Sequence, residues 1–342
     1  MFTKYLVTGA TGFLGRSVIA ALSGAGAEIR ALVLENDPLA YALPPAVQII
    51  HGDVCDADSQ EGFFSGADRE TCVIHCAGLV SVASHPGARI YRVNVGGTDN
   101  VLRHCARHGV GRLIYVSSVH AIPEQPEGEV ITEDAVFSPE LVRGDYAKSK
   151  ALATALVFDA AARGLNASVV FPSGIIGPGD LGRGSVTTML SDFLSGKLPL
   201  AVQGGYDFVD VRDVAAGVVA CAERGEPGRG YILSGHDASI RDILEAANKT
   251  LPVRRRITCL PIGLAKLAAP FYEKRNLRRK LPLYFTPYAV AVLASNCLFS
   301  KKAAEEAWGY APRPLERSVR DTVSWLKNAN GTAERSRDKA KS

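Results

Sequence analysis

The segment Lys4-Tyr5-Leu6-Val7-Thr8-Gly9-Ala10-Thr11-Gly12-Phe13-Leu14-Gly15 constrains the fold of this chain more than any other. A short apolar strand runs directly into three glycines spaced three apart, and a helical pattern begins at once. Glycine at 9 permits a tight turn, glycine at 12 lets backbone N–H groups approach a pyrophosphate, and glycine at 15 lets the helix pack close to a sheet. Three glycines in an arbitrary loop are weak evidence. Placed between a first strand and a first helix, they predict a dinucleotide site lined by Gly9, Thr11, Gly12, Phe13, Leu14 and Gly15.

The rest of the N-terminal half supports that expectation. Apolar, β-branched runs at 5–8, 28–34, 47–52, 72–77, 112–117 and 167–171 alternate with helical stretches. Strands that are apolar almost throughout, separated by helices, indicate a parallel sheet covered on both faces. The expected fold class is therefore α/β, a doubly wound parallel sheet of the Rossmann type with a smaller C-terminal substrate-binding lobe. A chain of 342 residues exceeds what one core usually organises. The expected division is a dinucleotide domain over 1–172, with later strand and helix returns near 207–235. A mainly substrate-binding lobe follows over 173–328, and then a disordered polar tail over 329–342.

Composition excludes several function classes. The net charge of +4, from 39 basic against 35 acidic residues, is too mild for a nucleic-acid partner. No run of about 18 apolar residues appears, so no integral membrane segment is expected. The seven cysteines form no CxxC pair and read as reduced core thiols, and no metal site is expected. The glycine turn begins so near residue 1 that no signal peptide is expected ahead of it, which points to a cytoplasmic location.

Further cofactor contacts are expected at the carboxyl ends of the strands. Asp53, followed by Val54, ends the third strand, where a carboxylate suits an adenine amino group. Ala77 and Gly78 end the fourth strand and are small enough not to obstruct a dinucleotide. The second strand ends Val33-Leu34-Glu35-Asn36. An arginine there would serve a 2′-phosphate and an acid a ribose 2′-hydroxyl, so Glu35 tips the choice between NAD and NADP slightly toward NAD.

The chemistry is expected from Tyr146-Ala147-Lys148-Ser149-Lys150, which opens a helix and places Tyr146 and Lys150 on one face by i, i+4 spacing. A free phenol has a pKa near ~10 and exchanges protons poorly at neutral pH unless a nearby cation favours its ionised form. Lys150 is the expected cation, and it also suits the nicotinamide ribose. Ser117 and Ser118 end the fifth strand, and the Ser118 hydroxyl is expected to steady a substrate oxygen. His75 is expected to serve packing.

In combination these residues resemble the extended short-chain dehydrogenase/reductase superfamily, of the NAD-dependent epimerase/dehydratase type. Asn94-Val95-Gly96-Gly97-Thr98, Pro172-Ser173-Gly174-Ile175-Ile176-Gly177-Pro178-Gly179-Asp180 and Asp210-Val211-Arg212-Asp213 look like its later signatures. The resemblance implies that Asn94 supports the active site and that Pro172 and Ser173 border the nicotinamide. Asp210 and Asp213 are expected to cap or brace a helix.

Departures from the superfamily's sugar-nucleotide enzymes narrow the branch. Dehydratases resemble this chain but carry Thr-Asp-Glu where it has Ser118-Val119-His120. Epimerases carry Arg-Pro-x-Asn where it has Phe171-Pro172-Ser173-Gly174. What remains resembles the dihydroflavonol reductase and 3β-hydroxysteroid dehydrogenase branch, which implies an oxidoreductase interconverting a carbonyl and a secondary alcohol on a bulky apolar molecule. A nucleotide-sugar epimerase and a non-catalytic dinucleotide-binding redox sensor are the alternatives. The superfamily likeness also implies a homodimer. The basic, apolar run at 260–280 suggests either a packed helix or peripheral membrane contact.

Overall fold

The computed structural model describes residues 2–24, 26–198 and 200–339, with side chains through 329. Strands β1 (Lys4–Thr8), β2 (Glu28–Val33), β3 (Gln48–His51), β4 (Thr71–His75), β5 (Arg112–Val116) and β6 (Ala167–Pro172) fall where the apolar runs predict them. With β10 (Gly230–Leu233) they form one seven-stranded sheet in the order β10-β6-β5-β4-β1-β2-β3. Every neighbouring pair in it is parallel.

Alternation along each strand explains why helices cover both faces. Leu6, Val73, Leu113, Tyr115, Val169 and Phe171 point to one side, into a core completed by Val101, Cys105, Ala147, Ala151 and Val157 of the helices Gly97–His108 and Asp145–Ala162. Their sequence neighbours Tyr5, Val7, Cys72, Ile74, Ile114 and Val170 point to the other, against Val18, Ile19, Val214 and Val218 of the helices Phe13–Leu22 and Val211–Arg224. A side-chain period of two thus makes two cores from one sheet. Chain order reverses between β1 and β4, and in such sheets the ligand crevice opens at the carboxyl ends on either side of that reversal.

The remaining elements are smaller. β7 (Gly174–Ile176), β9 (Gly205–Asp210) and β11 (His236–Ser239) form a second sheet, and β8 (Ala201–Val202) pairs with β12 (Cys259–Leu260). The helices Ile262–Arg279 and Pro287–Val292 pack together beyond them. Asp210 caps the helix Val211–Arg224, as expected, and Ser239 caps the helix Ile240–Asn248 through a capping box with Asp242.

The last helix spans Leu315–Lys339 and so includes part of the 329–342 segment. The helix is anchored by Val319, Val323 and Leu326, and the segment that follows contains no proline. The final residues, 340–342, lie outside the described ones.

Candidate active site

The glycine turn is forced by packing. Gly9 has φ +64°, and a Cβ on it would lie 2.6 Å from the Ala77 amide nitrogen. A Cβ on Gly15 would lie 2.1 Å from the Gly9 carbonyl oxygen. The helix Phe13–Leu22 starts at Gly12 with no side-chain cap and no acid in its first turn. Its first N–H groups and its positive dipole end are thus presented to an anion without competition from its own side chains, which fits a pyrophosphate. Thr8 holds the adjoining strand end, bonding His75 Nδ1 at 2.7 Å and accepting from the Ala77 amide at 3.2 Å. His75 is fully buried, and burial lowers its pKa to about 3, so it stays neutral as a packing residue.

Glu35 follows the end of β2 with its side chain exposed. Its carboxylate lies at the surface, 4.0 Å from His51 Nδ1. A second acid, Asp37, lies against the glycine turn and accepts a 2.6 Å hydrogen bond from the Thr11 hydroxyl. The loop after β2 curls back over the turn, and a reading that stopped at the strand end missed it. Arg16 donates to the carbonyls of Thr11 and Gly179 and ties this turn to the Gly-Pro loop. Asp53 lies beyond the end of β3, and its Oδ1 accepts from the Cys55 amide at 2.9 Å, so half of its carboxylate serves the loop. Val54 is buried against Gly97.

Gly78 joins the cofactor side to the catalytic side. A Cβ there would lie 3.3 Å from both Asn94 Oδ1 and Lys150 Nζ. Asn94 is buried on a single π-helical turn, Arg92–Gly96, where its amide accepts from the Leu79 N–H at 2.7 Å and donates to the Ser149 hydroxyl at 2.9 Å. One π turn in an otherwise α-helical run is a common feature of functional sites. Ser117 bonds Thr154 at 2.6 Å and fastens β5 to the helix that carries Tyr146 and Lys150. Pro172 ends β6, and Ser173 donates to Asp207, a buried acid that also accepts from the Gly235 amide at 2.7 Å. Burial raises the Asp207 carboxyl above its ordinary value.

Tyr146, Ser118 and Lys150 are all buried and converge at the carboxyl edge of the sheet. The electrostatics differ from the expectation in one respect. Burial pushes the Tyr146 phenol upward, and the group that pulls it back is the Ser118 hydroxyl. Lys150 directs its ammonium to the Val116 carbonyl at 2.8 Å and the Tyr115 hydroxyl at 3.3 Å, and burial lowers its pKa to about 8. A buried ammonium must satisfy its protons, and the nearest carbonyl takes one of them.

Around Tyr146 lie residues that the sequence did not announce. His120, two positions after Ser118, packs edge-on to Tyr146 with ring centroids 5.7 Å apart and stacks on Tyr206 at 5.5 Å. Its two ring nitrogens meet the hydroxyls of Tyr206 and Tyr288, each at 3.3 Å. Burial lowers its pKa to about 4, so the ring is neutral near pH 7. Tyr288 also lies on Gly144, where a Cβ would approach its ring to 2.5 Å. Three aromatic side chains from distant segments therefore gather beside Tyr146, His120 in ring contact with it and Tyr206 and Tyr288 bonded to His120. The one sequence signal was the histidine standing at the third position of the dehydratase triplet.

Asp210 and Asp213 lie away from this centre and brace the fold. Asp210 caps its helix and pairs with Arg212, which also holds Asp321 at 2.8 Å, and Asp213 pairs with Arg313 at 2.8 Å. Glu61, His104 and His108 bring potential metal-ligand atoms within 4.8 Å of one another. The Arg107 guanidinium contacts both Glu61 and, at 3.2 Å, His108 Nε2, so this group is a charge-paired network.

A doubly wound parallel sheet, an uncapped glycine turn and a Ser-Tyr-Lys set at the carboxyl edge together define a dinucleotide-dependent enzyme of the extended short-chain dehydrogenase/reductase type. The chain belongs to the NAD dependent epimerase/dehydratase family, whose model matches residues 5–234. It is 30% identical over 326 residues to sterol demethylase protein B of Methylococcus capsulatus, covering 94% of this chain and 98% of that protein. It is 28% identical over 327 residues to a 4-hydroxy-2-methyl-3-oxo-4-farnesyl-3,4-dihydroquinoline-1-oxide ketoreductase of Stigmatella aurantiaca, covering 94% and 95%. Among solved structures, that of gox2253 superposes with a TM-score of 0.82 at 28% identity over 96% of this chain and 98% of the other.

Proposed function

We propose that the protein interconverts a ketone or aldehyde and the corresponding alcohol on a bulky, apolar, ring-bearing molecule. The observation that carries this reading is the wall facing Tyr146, which is built from His120, Tyr206 and Tyr288. Neutral aromatic rings suit a flat apolar substrate. The names of the two relatives, a sterol demethylase protein and a quinoline-oxide ketoreductase, support the same substrate class.

When bound, the nicotinamide supplies or accepts the hydride. The chain's own residues do the rest. The turn at Gly9, Gly12 and Gly15 holds the pyrophosphate against the helix N-terminus, and Ala77, Gly78 and Lys150 border the nicotinamide ribose. Tyr146 gives its phenolic proton to the carbonyl oxygen in reduction and takes it back in oxidation. Ser118 holds that oxygen and lowers the cost of ionising the phenol. Lys150 adds positive potential at the floor of the site. Asp37 places negative charge beside Thr11, which favours NAD over a cofactor carrying a 2′-phosphate.

Absorbance of NADH and NADPH, followed against a panel of steroids, flavonoids, quinolones and short aliphatic ketones, tests the assignment. Turnover confined to ring-bearing carbonyls with NADH is expected, and turnover of none of them refutes it. The nucleotide-sugar epimerase reading rests on the family match and on the same tyrosine and lysine. It predicts purified protein carrying stoichiometric NAD and isomerising a sugar nucleotide with no added cofactor. A non-catalytic sensor would not need the intact Ser118, Tyr146 and Lys150 set.

The buried Lys150 yields a separate prediction. Its pKa falls from 10.5 to about 8 on folding. Between those values the unfolded chain keeps a proton that the folded chain has released. This group therefore makes stability rise with pH across that window, and its penalty is complete below about 8. Lys150→Met is expected to flatten that rise when denaturation midpoints are compared near pH ~7 and ~10, and to weaken cofactor binding. An unchanged difference between the two pH values would show that the ammonium is not held in the dry floor of the site.

A further inference from the structure

We propose that the helix Ile262–Arg279 docks the protein onto an anionic lipid surface. The helix is inverted relative to an ordinary surface helix. Its buried positions are Ala265, Ala269, Glu273 and Asn276, one stripe of small and polar side chains. The large apolar residues lie on the opposite face, with Leu264, Leu267 and Phe271 exposed to 54%, 70% and 78%. Burying Leu and Phe drives a globular fold, so a face that buries Ala, Glu and Asn and leaves these side chains in water awaits an apolar partner.

Charge identifies the partner's chemistry. By helical spacing, Leu264, Leu267 and Phe271 continue on one face into Lys274, Arg275 and Arg278, and Arg279 and Lys280 follow. The one acid on the helix, Glu273, is turned inward, where it accepts from the Ser84 amide at 2.7 Å and the Ser84 hydroxyl at 2.8 Å. Among the described residues, none of the basic side chains from Lys266 to Lys280 is ion-paired. An apolar patch rimmed by unpaired cations matches the boundary between acyl chains and anionic headgroups, where apolar side chains insert and basic ones stay at the phosphates. A second copy of the chain fits poorly, because each basic face would meet another.

The helix stands firmly enough to present this surface. Glu273 fixes it to the loop after β4, Asn276 donates to the Pro282 carbonyl at 3.0 Å, and Tyr272 packs on Tyr284 and Phe285. The adjoining helix carries Tyr288, which bonds His120, so one packed helix separates the docking helix from that ring. Exposure and charge favour this docking whatever the substrate is.

Flotation of the full chain with vesicles of phosphatidylcholine alone, or mixed with phosphatidylglycerol, tests the proposal. Flotation with the anionic vesicles only, released by salt, is expected. Leu267→Glu combined with Phe271→Glu should weaken it at least about tenfold while thermal midpoint and turnover of a water-soluble carbonyl hold. The emission of Phe271→Trp, read as the difference from the parent protein, should shift to the blue with anionic vesicles and provides a second readout if the double variant misfolds. The proposal is overturned by absence of flotation, by binding that the double variant leaves unchanged, or by an unshifted difference spectrum for Phe271→Trp. It is equally overturned if the double variant abolishes a dimer in a protein that never binds vesicles.

Discussion

Replacing Tyr146 by Phe is expected to reduce turnover by about 10²–10⁴-fold while the dissociation constant for the nicotinamide cofactor changes by less than about threefold. The substitution removes one oxygen from a buried site and leaves the ring that packs edge-on against His120. The carbonyl oxygen then receives hydride-derived charge with no proton donor, and Ser118 alone cannot supply one without leaving its own oxygen ionised. Burial raises the Tyr146 phenol, and the Ser118 hydroxyl opposes the rise. Ser118→Ala should therefore lower turnover by less and move the basic limb of the pH–rate profile upward. Steady-state rates and a cofactor fluorescence titration check both variants. Turnover of Tyr146→Phe within about threefold of the parent would remove the proton-transfer assignment.

The other large effect is expected at the glycine turn. Gly15→Ala places a methyl 2.1 Å from the Gly9 carbonyl oxygen, a backbone atom that no side-chain rotation can clear. The helix Phe13–Leu22 must move off the turn, at a cost of about 1–3 kcal/mol in unfolding free energy and about tenfold or more in cofactor affinity. Gly12→Ala provides the contrast, because its Cβ meets only the Gly9 oxygen, at 3.1 Å. That variant is expected to keep most of its stability and still lose affinity, since the methyl would stand at the mouth of the helix where the phosphates approach. Urea denaturation and cofactor titration separate the two effects. Equal affinities for all three proteins would show that the pyrophosphate is held elsewhere.

The glycine spacing, the six strands and the Tyr146–Lys150 pair were legible in the sequence because they are local patterns, each depending on residues within a few positions of one another. Asp37 was hidden because it lies 26 residues from Thr11, its partner at the turn. It stands three residues past the second strand's last apolar positions, in a loop whose return to Thr11 depends on chain direction and not on composition.

By itself the sequence determined the parallel sheet, the glycine turn and the helical spacing of Tyr146 and Lys150, because periods of two and 3.6 and glycine spacing express backbone sterics directly. Only the tertiary structure brought His120 to Tyr206 and Tyr288, 86 and 168 residues away, since nothing local marks a ring that is completed by distant partners. It also decided which face of the helix Ile262–Arg279 points outward. Alanine on one face and leucine and phenylalanine on the other are all apolar, so hydropathy assigns the helix no single inner side, and the packing of Glu273 and Asn276 settles it.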